Sequence, residues 1–150
     1  GSIVAAQLVD EETGQPASSI QFGKRFRVDV WAECPAGPVP SRIGFGIHIK
    51  DKNRNWVFGA TNWDARIQPD QGVRRWHASF SYRNCLAHGD YGVLLSMAGT
   101  DGRLDEAVHM DNIETAFTFR SQWSAEHPAV WGVVQMPVVV SVDAYGPDEN

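Results

Sequence analysis

The chain has 150 residues, of which 43% are hydrophobic and 21% charged, and its formal net charge is −5. This length suits one domain with a single core, which needs neither a disulfide nor a metal for stability. The acidic balance, with basic runs no longer than pairs such as Arg74 and Arg75, argues against nucleic-acid binding, and no apolar run approaches the roughly 20 residues of a membrane span.

Alternating runs rich in β-branched and aromatic residues predict β-strands, and clusters of Gly, Pro, Asp and Asn separate them. In chain order the predicted strands are Ile3–Val9, Arg25–Glu33, Arg42–Lys50, Trp56–Ala60, Arg74–Tyr82, Asp90–Ala98, Ile113–Arg120 and Val138–Asp143. No segment carries a sustained helical period with caps. The chain is therefore predicted to be all-β.

The order of strands and turns indicates which β fold this is. Leu86-x-x-Gly89-x-Tyr91 places a tyrosine corner at the start of a predicted strand. We predict an immunoglobulin-like, jelly-roll-like antiparallel β-sandwich that forms a single domain over residues 1–150. Gly1 and Ser2 are expected to be an expression-tag remnant, and Asp148–Asn150 are expected to fray.

Alternation also assigns a core face and an outward face to each strand. Along Arg42–Lys50 the inward residues are Ile43, Phe45, Ile47 and Ile49, and the outward ones are Gly44, Gly46, His48 and Lys50. Glycines at alternate positions leave the outward face bare beside His48. This predicts a shallow groove there, unless a loop packs across the sheet or the glycines form bulges.

Two other predicted strands carry aromatic and polar side chains on their outward faces. In Arg25–Glu33, Trp31 points outward with Arg27 and Asp29. In Arg74–Tyr82, Arg75 and His77 point outward. Trp76, one position along, is predicted to lie in the core. Alternation places Trp31, His48, Arg75 and His77 away from the core, and we predict that they share one outward sheet face.

Aromatic and hydrogen-bonding side chains of this kind are typical of sugar recognition. An aromatic ring offers its face to the C–H side of a pyranose, and donors and acceptors read the hydroxyls. Arginine adds a contact for a phosphate or carboxylate. The candidate carbohydrate-binding residues are Trp31, His48, Arg75 and His77, with Trp63 as a lip on the adjoining loop. An ordinary solvated surface is the alternative interpretation.

Motifs for catalysis are missing from the sequence. It has no Gly-x-Ser-x-Gly elbow, Walker glycine loop, His-Glu-x-x-His or Cys-x-x-Cys. The histidines show no metal-ligand spacing, and the segment Asp101–Asp105 fits a hairpin turn better than a calcium loop. We therefore expect no catalytic residue, no metal and no cofactor.

Several segments, taken in order, resemble one known family. They are Ile3–Asp10 followed by Gly14, Ile20–Val28, Gly46–Asp51 with Val57–Asn62, the Leu86 to Tyr91 corner, and Asp111–Ile113 with Phe117–Phe119. In this order they resemble the C-terminal domain of Wzt, the nucleotide-binding subunit of the ABC transporter that exports O-antigen polysaccharide in Gram-negative bacteria. The resemblance covers nearly the whole chain. It departs at Trp63, where the family commonly has the last Thr of Thr-Asn-Thr.

The resemblance implies an immunoglobulin-like sandwich that forms dimers and binds the modified non-reducing end of the glycan. The chain is then expected to be a non-catalytic module on the cytoplasmic side of the inner membrane. In this family the ATPase domain of the transporter precedes the module, which is attached to the rest of the transporter. The apolar run Val138–Val142, after Pro137, predicts a homodimer formed by C-terminal strand exchange.

Two alternatives remain at this point. One is an immunoglobulin-like module that docks a partner protein, which an apolar outward face would favour. The other is a secreted carbohydrate-binding module of a polysaccharide-active enzyme, which a disulfide between Cys34 and Cys85 would favour. Two free thiols in a cytosolic protein are the preferred interpretation of these cysteines.

Overall fold

The computed structural model describes residues 1–70, 72–126, 132 and 134. The strands in this part of the chain are β1 (Ser2–Asp10), β2 (Gln15–Pro16), β3 (Ser19–Gln21), β4 (Arg25–Glu33), β5 (Arg42–Lys50), β6 (Trp56–Thr61), β7 (Arg75–Arg83), β8 (Gly89–Thr100) and β9 (Val108–Gln122). A short 3₁₀ helix, Leu104–Glu106, lies between β8 and β9. β4 and β5 have the predicted bounds. The predicted strand Val138–Asp143 lies outside the described residues.

The strands form two sheets that pack as a sandwich. Sheet A has the order β2-β1-β4-β7, and sheet B has the order β3-β9-β8-β5-β6. Neighbouring strands run antiparallel, except that β3 runs parallel to β9. The predicted all-β sandwich is confirmed, and its strand order is that of immunoglobulin-like domains. β2 and β3, each too short to show alternation, are additions to the predicted strands.

The core lies between the sheets and contains the residues that alternation assigns to it. Sheet A contributes Leu8, Phe26, Val28 and Val30, and sheet B contributes Ile47, Ile49, Val93 and Leu95. A second cluster includes Ile43, Phe45, Met97 and Trp76, of which Trp76 is 9% exposed. Burial of each large apolar side chain stabilises the fold by roughly 1.5–3 kcal/mol. The predicted core positions in β4 and β5 are confirmed.

The tyrosine corner forms where the sequence predicts it. The Tyr91 hydroxyl donates a hydrogen bond to the carbonyl of Ala87, at 2.9 Å. Tyr91 is the third residue of β8, and its ring packs 5.8 Å from that of Phe119 in β9. The corner therefore fixes the loop before β8 to the centre of sheet B.

A buried asparagine connects three separate segments. Asn84 is 1% exposed, and its amide nitrogen donates to the carbonyl of Ile20 at 3.1 Å and to the Ser121 hydroxyl at 2.8 Å. Its amide oxygen accepts from the N–H of Leu86 at 3.1 Å, and the Ser121 hydroxyl donates to the Leu86 carbonyl at 3.0 Å. This network joins β3, β9 and the β7 to β8 connection, and it satisfies backbone groups that would otherwise be buried without partners.

The two cysteines do not form a disulfide, so the core holds the sandwich together without one. Cys34 and Cys85 are both free thiols, Cys34 buried and Cys85 half-buried. Within the described ranges, no helix is long and apolar enough to cross a membrane.

Candidate functional site

Strand pairing divides the candidate residues between two sheets. Trp31 of β4 lies directly opposite His77 of β7 in sheet A, and Arg75 is two residues before His77 on the same face. His48 lies in β5, which pairs with β6 and β8 in sheet B, and Trp63 follows β6. The prediction that Trp31, His48, Arg75 and His77 share one face is therefore wrong, because β5 is not a neighbour of β4 or β7. The outward faces of two packed sheets point away from each other.

An aromatic pair marks the outward face of sheet A. The rings of Trp31 and His77 stack with their centroids 4.8 Å apart and an angle of 13° between their planes. The His77 side chain is 49% exposed, and Trp31 is half-buried. On the other side of Trp31, the opposing residue of β1 is Ala5, whose methyl group is too short to cover an indole. The pair therefore forms a flat, partly solvated platform.

A buried carboxylate holds this platform in place. Asp29 is 2% exposed, and its oxygens lie 3.0 Å from His77 Nε2 and 3.0 Å from Arg27 Nε. Burial acts to raise the pKa of Asp29, but hydrogen bonds from His77, Arg27 and Ser79 outweigh it and leave the pKa below its ordinary value. An ionised carboxylate only accepts hydrogen bonds, so the proton lies on Nε2 of His77. Asp29 thus orients the His77 ring, and through it the stacked Trp31.

Beside the platform, a pocket of about 560 Å³ opens between β7 and the segment that connects β6 to β7. Its lining includes Phe45, Ile67, Val73, Arg75, Trp76, His77, Phe80 and Tyr82. His77 belongs to both the pocket lining and the platform, so the two adjoin at this residue. The Arg75 side chain is 88% exposed, and its nearest partner is Glu33 at 3.6 Å. Arg75 therefore lies at the solvated rim.

The groove predicted beside the glycines of β5 is filled by other side chains. A Cβ atom on Gly44 would lie 2.6 Å from the Trp63 ring, and one on Gly46 would lie 2.5 Å from the Ser96 hydroxyl. Trp63 thus packs across the sheet, and its indole nitrogen is buried with no hydrogen-bond partner among the described residues. The glycines accept neighbouring side chains rather than leave room for a ligand, so the groove prediction is wrong and the packed-loop alternative holds.

His48 has its own aromatic neighbour on sheet B. Its ring lies 4.3 Å from the ring of Trp56 and occupies the space left by Gly59, where a Cβ atom would lie 2.6 Å from His48 Cδ2. Burial, and then the charge of Lys50, lower the pKa of His48. Trp56 is 65% exposed. Sheet B thus carries an aromatic pair separate from Trp31 and His77.

The position of Trp63 gives a direct test of this packing. Gly44→Ala should destabilise the domain by about 1–3 kcal/mol, because the added methyl group collides with a rigid indole in a closely packed site. Urea unfolding, followed by tryptophan fluorescence, measures the change. Gly92→Ala is the matched control, since its Cβ atom would lie 3.8 Å from Thr115, an ordinary contact. Equal stability of the two variants would show that the Trp63 ring moves away freely.

Sequence reasoning gave no role to Asp29 and missed the pocket. Alternation places Asp29 outward, where a carboxylate is ordinarily solvated, and only the register brings His77 within hydrogen-bond distance of it. The pocket brings together β5, β7 and the β6 to β7 segment, which are far apart in sequence. In residues 1–70 and 72–126, with 132 and 134, no group of three or more His, Cys, Asp or Glu side chains is arranged to hold a metal.

The chain is similar to known proteins in sequence pattern and in fold. The family model described as the Wzt C-terminal domain matches residues 1–136. One solved structure, "Crystal structure of the C-terminal domain of wzt", superposes with a TM-score of 0.73 at 17% sequence identity, and the alignment covers 94% of this chain and 83% of that one. At this identity the structural likeness establishes the fold alone. No curated protein matches the chain.

Proposed function

Since the chain belongs to the Wzt C-terminal domain family, we propose that it is a non-catalytic carbohydrate-binding module for O-antigen polysaccharide. The ligand is the modified non-reducing end of the glycan, and binding couples the finished polymer to export by an ABC transporter. In this role the domain acts on the cytoplasmic side of the inner membrane, next to the other transporter subunits. Residues 1–150 act as one domain.

The observation that carries the proposal is the Trp31 and His77 platform, held by buried Asp29 and adjoining a pocket. A flat aromatic surface suits the C–H face of a pyranose, and neighbouring polar groups supply directional hydrogen bonds. On β4 and β7 the platform is flanked by Arg27, Ser79 and Arg75 rather than by apolar side chains. Such a face favours sugar over the docking of a protein partner, which buries an apolar centre. We propose Trp31, Arg75 and His77 as the ligand contacts.

His48 and Trp63 are not included in the proposed site. They lie on the outward face of sheet B, and Trp63 packs over Gly44. Their substitution serves instead to compare the two faces.

A homodimer would strengthen binding of a single chain end. One terminal sugar gives modest affinity, and two sites held in one assembly raise the effective concentration of the second. We propose that the dimer forms by exchange of the C-terminal run Val138–Val142, which lies outside the described residues.

Calorimetry with the purified domain tests the proposed function. The ligands are O-polysaccharide from the source strain with its terminal modification and the same polymer without it. We expect binding of the modified polymer alone, and no hydrolysis of ATP or polysaccharide. Equal affinity for the two polymers would contradict end recognition, and failure to bind either would contradict the carbohydrate function.

A further inference from the structure

The pocket next to the platform is mostly apolar. Its aromatic and aliphatic walls are formed by Phe45, Ile67, Val73, Trp76, Phe80 and Tyr82. Ile67 is 63% exposed and Val73 is 37% exposed, although both are apolar. Covering them with a ligand would remove apolar surface from water, which is favourable in proportion to the area covered.

Charge is nearly absent from the same walls. Among the described lining residues, Asp70 and Arg75 are the ones that carry a formal charge, and His77 is held by Asp29. The Arg75 side chain is 88% exposed and lies 3.6 Å from Glu33. Its positive charge is therefore solvated and already has an acidic partner. A phosphate or carboxylate that entered the pocket would lose hydration, meet Asp70 and gain no buried cation.

Two residues of the pocket lining carry buried donors that lack acceptors among the described residues. The indole nitrogen of Trp76 and the hydroxyl of Tyr82 are buried and have no hydrogen-bond partner in the described part of the chain. Burial raises the pKa of Tyr82, so its hydroxyl keeps its proton. Buried donors without acceptors are costly in a folded protein, and a neutral oxygen atom of a ligand would satisfy them.

From these three observations we infer that the pocket takes an uncharged sugar end with an apolar substituent, such as an alkyl ether, an ester or a deoxy carbon, and not a phosphorylated or acidic end. The substituent of the terminal sugar enters the pocket beside His77, and a sugar ring farther along the glycan lies on the open face of Trp31, on the β1 side of the stacked pair. An ether, ester or hydroxyl oxygen of this end accepts from the indole nitrogen of Trp76, which adjoins His77 in β7. This inference rests on the proposed function, because it names the chemistry of the end that the domain recognises.

A second pocket has charged walls. It has a volume of about 430 Å³, and its lining includes Lys50, Lys52 and Arg54 together with Asp51, Asp90 and Glu114. Lys50 lies 2.8 Å from Glu114. Three basic and three acidic side chains balance there, so this pocket is not a net positive site for an anionic end either.

The test places opposite charges at one pocket residue and measures binding of native O-polysaccharide from the source strain. Val73→Lys and Val73→Asp should each weaken binding about tenfold or more, because either charge disfavours an apolar substituent. Stronger binding by the Lys variant and weaker binding by the Asp variant would show an anionic end and overturn the inference. Unchanged binding by both variants would show that the end lies elsewhere and would also overturn it.

Two controls separate this inference from the proposed function. Val108→Lys and Val108→Asp place the same charges in β9, at a residue that is 69% exposed, and should bind as the unsubstituted domain does. If the unsubstituted domain binds the polymer and Trp31→Ala does not, the function stands whatever the Val73 variants show. If the unsubstituted domain fails to bind, the function itself is wrong.

Discussion

Trp31→Ala should weaken binding of the modified polysaccharide by about 1–3 kcal/mol and leave the free energy of unfolding within about 1 kcal/mol of the original. The indole is half-buried on the outward face, so its loss removes a ligand contact and little of the core. Its stacking on His77, at 4.8 Å, means that the histidine also loses a neighbour. Calorimetry gives the affinity, and urea unfolding gives the stability.

Trp56→Ala is the matched control for this prediction. Trp56 is another tryptophan on an outward sheet face, it is 65% exposed, and its ring also lies next to a histidine ring, although tilted by 44° rather than stacked. If sheet A carries the site, this variant and His48→Ala bind the polymer normally. Normal binding by Trp31→Ala, together with loss of binding in Trp56→Ala or His48→Ala, would move the site to sheet B.

Asn84→Ala should destabilise the domain by about 3–5 kcal/mol, which is at the high end for a single substitution. The change leaves the carbonyl of Ile20, the N–H of Leu86 and the hydroxyl of Ser121 short of a partner in a site that is closed to water. Buried groups that lose a partner cost their full desolvation penalty. Urea unfolding of the two proteins measures the difference.

An exposed asparagine provides the comparison. Asn55 donates from its amide to Asp51 at 3.0 Å on the surface, where water replaces a lost partner. Asn55→Ala should therefore cost less than about 1 kcal/mol. Similar losses in the two variants, or a loss below about 1 kcal/mol in Asn84→Ala, would show that the buried network contributes little.

The strands and core of this domain could be predicted from sequence because burial on one face imposes a period of two. The apolar core residues of β4 and β5 keep this period, although outward Asp29, Gly44 and Gly46 are buried as well, and both strands have the predicted bounds. The same rule assigns Trp76 to the core, and it is 9% exposed. The Tyr91 corner could be predicted because it depends on residues close together in sequence.

The site could be predicted only in part, because alternation separates inward from outward residues without saying which strands are neighbours. Trp31 and His77 face each other through a register between strands more than forty residues apart, a distance in sequence over which no local pattern acts. The role of Gly44 depended on Trp63, which reaches it from a loop after another strand. Long-range contacts of this kind determine the site, and they appear only once the sheets are assembled.

The parallel pairing of β3 with β9 affects how the domain folds while it is being synthesised. Ser19 pairs with Arg120, so β3 leaves the ribosome long before its partner exists. At about 5–20 residues per second, the delay is about 5–20 s. β1, β4 and β7 are complete by Arg83 and can pair during this interval, whereas β3 waits as an unpaired strand. A nascent chain that stalls before Arg120 therefore exposes a segment that is open to chaperones and to aggregation.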